Sequence, residues 1–293
     1  MTPTPPWYCL AGATASGKSA VTQYLAERHG WPILSADAML IYKGMDIGTA
    51  KPTIAERTRV PYFGLDCVTP ADDFNAHDWL RDAQRVQAAS AEGVFVTGGT
   101  GLYYSVLLRG LEPATPVDPE RRAALEQLSL EELQARLATY SVTLADMQNP
   151  RRLIRALEHL EQGLPLPQSW REQTKPVLWA LRHERSLLHA RIAQRVEVMY
   201  KEGLLEEVRA LVDSYPTWSR TALQAIGYAE ALACLQGRCT EAEAKERTII
   251  RTRQLAKRQE TYLRGQFDTQ WIEVTPCDTV ETIAHRLETI WKL

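Results

Sequence analysis

Eight residues near the start of the chain, Gly12, Ala13, Thr14, Ala15, Ser16, Gly17, Lys18 and Ser19, fit the pattern G-x-x-x-x-G-K-[ST]. An apolar run, Trp7 to Ala11, precedes them, and residues 20–26 read as the start of a helix. Strand, glycine loop and helix in that order are the context in which this pattern forms a P-loop. Gly12 and Gly17 allow a tight turn that points successive N–H groups inward. Those donors and the positive end of the helix hold a diphosphate. Lys18 adds a point charge, and the Ser19 hydroxyl suits Mg²⁺. The loop constrains the fold to α/β and the ligand to a di- or triphosphate. It does not choose the reaction.

A chain of 293 residues can bury a full core and hold one large domain or two. The formal net charge of −2 announces no nucleic acid globally, although a local basic surface remains compatible with it. The five cysteines form no C-x-x-C pair, so a reduced, cytosolic setting is expected. No apolar run reaches the roughly 18 residues of a membrane span. With the P-loop so close to Met1, no signal or transit peptide is expected.

Residues 32–37 read as a second buried strand ending on Asp37. In a parallel sheet the carboxyl ends of the strands open on one edge, where ligands sit, so Asp37 belongs near the P-loop. Residues 38–52, with Tyr42, Lys43, Asp46, Thr49 and Lys51, read as a binding loop at that edge. A short strand is expected at 62–66, an amphipathic helix at 75–92, and a central strand at 94–97. The turn Gly98, Gly99, Thr100, Gly101 then lets the backbone approach a ligand and sets Thr100 beside Asp37 and Lys18.

Pro113, Pro116 and Pro119 interrupt the chain. From there to Leu164, Leu125, Leu128, Leu133, Leu137, Leu153, Leu157 and Leu160 recur at helical spacing, and Pro165 and Pro167 close the section. The expected organisation is a P-loop NTPase-like parallel sheet core flanked by helices, residues 1–113 and 176–293, with a small helical insertion domain at 114–175. A returning strand is expected at 177–181, a long helical stretch at 185–212 broken near Gly203, and a helix at 218–236 containing Gly227 and Tyr228. A basic helix should cover 241–264, with a strand at 271–274 and a closing helix at 279–292.

On the basic helix, at about 100° per residue, Arg247, Arg251 and Arg258 form one stripe and Arg253, Lys257 and Arg264 another. Ile249, Ala256 and Leu263 lie opposite. An apolar back and a cationic front suit a phosphate backbone. Three readings follow: an enzyme acting on RNA, a P-loop small-molecule kinase, and an RNA-binding P-loop protein without catalysis. The kinase reading lacks the acid that usually ends an apolar strand and organises Mg²⁺.

The residues G-A-T-A-S-G-K-S at 12–19, D-A-M-L-I-Y-K-G-M-D-I-G-T-A-K-P at 37–52 and G-G-T-G-L-Y at 98–103 resemble the tRNA dimethylallyltransferases. So do P-R-R-L-I-R-A-L-E at 150–158, Q-A-I-G-Y at 224–228 and R-Q-L-A-K-R-Q-E-T-Y-L-R at 253–264. The resemblance spans nearly the whole chain and implies a bacterial-type, monomeric, cytoplasmic enzyme. Such an enzyme moves a dimethylallyl group from dimethylallyl diphosphate to N6 of an adenosine beside the anticodon, with Mg²⁺ as cofactor. It implies that Asp37 is the general base, that Thr100 is catalytic, that the P-loop holds the diphosphate and that Ser19 meets the metal. The anticodon stem-loop would be gripped between core and insertion. Its implied contacts are Asp37, Ala38, Met39, Leu40, Thr100, Arg122, Arg151, Arg152, Leu153, Ile154, Arg155, Gln224, Ala225, Ile226, Gly227, Tyr228 and Ala229. Along the basic helix they are Lys257, Arg258, Gln259, Glu260, Thr261, Tyr262, Leu263 and Arg264.

The chain departs from that pattern in places. Ala13 stands for a frequent proline, Ala38 for a serine, Tyr262 for a tryptophan and Gln224 for an arginine carried by some members. The insertion is shorter than in many members, and no C-terminal zinc finger is present.

Overall fold

In the computed structural model, the described residues are 6–111, 118–144, 146–166, 170 and 173–293. The chain divides into two compact units, Met1–Arg109 with Lys175–Leu293, and Gly110–Thr174. The first boundary falls a few residues before the expected one, at the end of the helix Gly101–Arg109. Pro113, Pro116 and Pro167 lie outside the described residues.

The larger unit opens with β1 (Trp7–Gly12), α1 (Lys18–His29), β2 (Ile33–Ser35), α2 (Ile54–Arg59) and β3 (Tyr62–Phe63). It continues with α3 (Ala76–Ala89), β4 (Val94–Gly98) and α4 (Gly101–Arg109). The smaller unit carries α5 (Pro119–Glu126), α6 (Leu130–Ala138) and α7 (Pro150–Glu161). The chain then returns through β5 (Val177–His183), α8 (Arg185–Lys201), α9 (Leu204–Ser214), α10 (Arg220–Leu223) and α11 (Tyr228–Leu235). It ends with α12 (Glu241–Gln266), β6 (Asp268–Val274) and α13 (Val280–Trp291).

All six strands are parallel in the order β3-β2-β4-β1-β5-β6. β1, β2 and β4 are apolar on both faces, as a sheet covered on both sides requires. Alternation sorts their side chains. Cys9, Ala11, Val94 and Val96 pack with Trp79, Tyr104, Leu263 and Phe267 on one face. Leu10, Phe95 and Leu181 pack with Leu25, Ile283 and Leu287 on the other. Trp79 Nε1 donates to Ser35 O at 2.8 Å, and Tyr104 Oη donates to Leu10 O at 2.9 Å, so the largest buried rings are also satisfied.

In the smaller unit, Leu125, Leu133, Leu137, Leu153, Ile154 and Leu157 form the core that the leucine spacing announced. Some details differ from the sequence reading: β3 keeps only Tyr62–Phe63 of the strand expected at 62–66. The expected helix at 218–236 is two helices, because Gly227 sits at φ 93° and cannot continue a right-handed helix. β6 begins at Asp268, three residues earlier than expected, since it lies at the sheet edge where polar residues are tolerated.

Candidate active site

The P-loop leaves β1 at Gly12 and enters α1 after Gly17, whose φ of 88° places it in the left-handed region. Ala15, at φ 63°, is held there without being glycine, which marks a turn over-determined by its surroundings. Three elements clamp the loop. His183, at the end of β5, donates from Nε2 to Ser16 O at 2.8 Å. Arg191 Nε on α8 donates to Ala15 O at 2.8 Å. Gln259 Oε1 on α12 accepts from Thr14 N at 2.8 Å.

β2 and β4 bring the other two candidates together by backbone closure. Ala36 N donates to Thr97 O at 2.7 Å, and Thr100 N donates to Ala36 O at 2.9 Å. Gly98 makes this approach possible: a Cβ there would lie 2.1 Å from Ala36 O. Thr100 Oγ1 then accepts from Ala38 N at 3.0 Å. Asp37 Oδ1 accepts from Met39 N at 2.9 Å, so the carboxylate is oriented by the turn that follows it. Asp37 remains partly exposed.

Lys18 is buried, and its Nζ donates to Ala13 O at 3.1 Å. Burial pushes its ammonium down to about 8, against the pull of the Asp37 carboxylate and with a further push from Arg195. The proton is therefore largely absent at pH 9 until an anion arrives. A diphosphate monoester is expected to bind with uptake of about one proton at pH 9, little at pH 7, and none through this site in Lys18→Met. Calorimetry in two buffers of different ionisation heat measures this. The same depressed value has a folding consequence. As pH rises from about 8 towards the ordinary lysine value, only the unfolded chain keeps the proton, so the ligand-free fold gains stability there.

A cavity of about 720 Å³ opens on the loop, lined by Gly17, Lys18, Ser19, Ile54, Arg191 and Arg195 among others. Arg195 Nη2 donates to Thr49 O at 3.0 Å, and burial lowers its own proton affinity against the pull of Asp37. Arg191 and Arg195 were not among the sequence candidates. An Arg-x-x-x-Arg repeat on a helix following a core strand was the available signal, but it resembles any solvated helix face. Among the described residues no group of three or more His, Cys, Asp or Glu side chains could hold a metal alone. Mg²⁺ therefore fits only with the exposed Ser19 hydroxyl and oxygens of a bound diphosphate as its ligands.

The 38–52 loop is more structural than expected. The Lys51 side chain is fully buried, with Nζ donating to Tyr42 O and Asp66 Oδ1, both at 2.7 Å. Tyr42 is buried as well. Glu207 on α9 accepts from Ile47 N at 2.8 Å and from Tyr228 Oη at 2.5 Å, and Tyr228 Oη in turn accepts from Gly48 N. Burial and the Glu207 carboxylate hold the Tyr228 phenol well above its ordinary range.

Several expected RNA contacts are corrected by burial. Leu153 and Ile154 belong to the core of the smaller unit. Ala225 and Tyr228 pack with α9 and the 41–45 segment. Leu263 packs on the sheet. Their side chains position their neighbours and present nothing to a ligand. Gln259 and Tyr262 face inward too, since a Cβ on Gly99 or Gly101 would lie 2.2 Å from Gln259 Nε2 or Tyr262 Cδ1. Of the expected contacts, Arg151 and Arg152 on α7 and Lys257, Arg258 and Arg264 on α12 are exposed cations, and Arg247 of the basic stripe is exposed as well. Arg122 is held by Glu158, with Nε 2.8 Å from Oε1. Arg251 leaves the expected stripe, because it pairs with Glu230 and donates to Gln224 O. No helix of the described residues is long and apolar enough to cross a membrane.

Comparison with known proteins agrees with this geometry. The family model described as IPP transferase matches residues 40–266. The tRNA dimethylallyltransferase 2 of Geotalea uraniireducens is 39% identical over 281 residues, covering 90% of this chain and 91% of the relative. The tRNA dimethylallyltransferase of Geobacter metallireducens is 40% identical over 282 residues, with the same coverage. The full-length tRNA isopentenylpyrophosphate transferase of Bacillus halodurans superposes with a TM-score of 0.71 at 30% identity, covering 99% of this chain and 96% of that one. A eukaryotic dimethylallyltransferase shares the fold at a TM-score of 0.75 and 20% identity. With a family model across most of its length and relatives near two-fifths identical over nine-tenths of it, the chain belongs to the IPP transferase family of tRNA dimethylallyltransferases.

Proposed function

We propose that this protein transfers a dimethylallyl group from dimethylallyl diphosphate to N6 of the adenosine 3′-adjacent to the anticodon of tRNA. The observation that carries the reading is the junction of β2 and β4. There Asp37 and Thr100 are tied through the Ala38 N–H, within electrostatic reach of the P-loop lysine. The adenine amine is a weak nucleophile because its lone pair is delocalised into the ring. As its nitrogen bonds to C1 of the donor, the C1–O bond breaks and the electron pair leaves with the diphosphate. Asp37 takes the amine proton. Lys18, the P-loop amides, Arg191 and Arg195 stabilise the charge that develops on the leaving group. Bound Mg²⁺ at Ser19 would neutralise part of that charge.

A base in a stacked loop cannot reach such a site, so the adenosine must be extruded. The exposed Arg151, Arg152, Lys257, Arg258 and Arg264 supply phosphate contacts for the stem. The test is transfer of labelled dimethylallyl to unmodified tRNA with Mg²⁺ and without ATP. Label in the RNA is the expected result. No label, together with ATP turnover stimulated by a small acceptor, would replace this reading with a kinase.

A further inference from the structure

A cleft of about 1170 Å³ lies outside the site above. It is bounded by the start of α8, the middle of α12 and the end of β6. Six basic side chains line it: Arg182, His183, Arg185, His189, Arg253 and Lys257. Arg182 is spent, with Nη1 3.3 Å from Glu273 and its guanidinium over the Trp271 ring. Arg185, Arg253 and Lys257 form no ion pair with a carboxylate among the described residues.

Of the three acids on the cleft, Glu273 is taken by Arg182, and Glu184 accepts from Ser186 N and Leu187 N at its own helix end. Backbone N–H donors leave the charge of Glu184 in place, so Glu184 and Glu260 face Arg185, Arg253 and Lys257, an excess of one positive charge. Burial lowers the proton affinity of His189, and the nearby Arg253 and Arg185 lower it further against the pull of Glu184. Two buried polar atoms on the wall lack partners: Arg253 Nε, and Nδ1 of His183, a residue only 7% exposed. A net positive cleft whose wall carries partnerless buried N–H and ring nitrogen atoms suits a surface that meets an anion.

Gln254 and Lys257 line both this cleft and the groove formed by Arg258, Thr261 and Tyr262. The cationic surface is thus continuous from the exposed face of α12 into the cleft. We propose that the α8–α12–β6 cleft receives a second stretch of the tRNA sugar-phosphate backbone, held by Arg185 and Arg253. The inference rests on the tRNA reading above and extends the RNA surface from the candidate contacts at 257–264 to the start of α8 and the end of β6.

The test is the salt dependence of tRNA affinity for the full chain and for Arg185→Gln/Arg253→Gln. Removing two phosphate contacts is expected to reduce the slope of log K against log salt by about 1.5, with roughly a ten- to hundredfold loss of affinity at 50 mM salt. Arg185→Lys/Arg253→Lys should keep most of the slope. Arg209→Gln/Arg238→Gln, which removes equal charge elsewhere on the surface, should change it little. The glutamine pair should melt near the wild-type temperature, because neither arginine forms an ion pair with a carboxylate among the described residues, so lost binding would not be lost folding. A wild-type slope in the glutamine pair overturns the proposal while leaving prenyl transfer intact. So does an unchanged tRNA slope combined with loss of inorganic diphosphate binding, which would make the cleft a small-anion site. A wild-type chain with no salt-dependent tRNA affinity overturns this inference and the tRNA reading together.

Discussion

Asp37→Asn is expected to lower prenyl transfer by roughly 10²- to 10⁴-fold, the usual contribution of a positioned general base, with tRNA affinity retained within about twofold. The substitution isolates charge from shape. Asparagine keeps an Oδ1 that can still accept from Met39 N, so the turn after β2 survives, and Thr100 still accepts from Ala38 N. The capacity to take the amine proton is removed, together with the pull of the carboxylate on Lys18 and Arg195. Initial rates at saturating donor and tRNA, set beside filter-binding affinities, separate the two effects. Transfer within tenfold of wild type would assign proton removal to another group. Equal losses in binding and rate would make Asp37 an RNA contact and no more.

The second large effect belongs to Gly98→Ala. Its added methyl would fall 2.1 Å from Ala36 O and 2.2 Å from Ala36 C, both backbone atoms that cannot swing away. β2 and β4 would have to separate, losing the Ala36–Thr97 and Thr100–Ala36 hydrogen bonds that hold Asp37 in place. The expected cost is about 3 kcal/mol or more, a fall in Tm of roughly 10 °C for a unit of this size. Activity should fall even below the melting transition. Gly265→Ala is the matched control. It lies inside α12 with nothing within 4 Å of an added Cβ, so alanine's helix propensity should leave it neutral or more stable by up to about 1 kcal/mol. A Gly98→Ala protein melting within 2 °C of wild type, measured to about that precision, would show that the strands can move apart cheaply.

The parts of this molecule that were legible in its sequence are those fixed by local pattern. Apolar runs such as Val94 to Val96 can only be buried strands here, and the leucines of the insertion settle their own helices. The P-loop carries its geometry in its glycines. Roles set by distant partners were not legible. Lys51 resembles a ligand-binding cation, yet it is neutralised inside the fold by Asp66 and Asp46. Arg191 and Arg195 resemble a solvated face, yet α8 lays them along the P-loop. Leu263 and Tyr262 are sequence neighbours of the exposed Arg264 but point the other way, because α12 must dock on the sheet. Asp37 and Thr100 fall between these cases. Strand order placed them on one edge, while the hydrogen bond through Ala38 that joins them needed coordinates.

The strand order also governs when this chain can become a protein. β1 pairs Cys9 with Val96 on one side and Gly12 with Leu181 on the other. β6 joins only through Asp268 to Val274, and Glu288 of α13 closes onto Arg28 and His29 of α1. On the ribosome the P-loop strand therefore emerges long before its second neighbour exists, and its β5-facing side waits unpaired while the smaller unit, contiguous in sequence, can fold first. The diphosphate cradle is among the earliest residues made and among the last to acquire its walls.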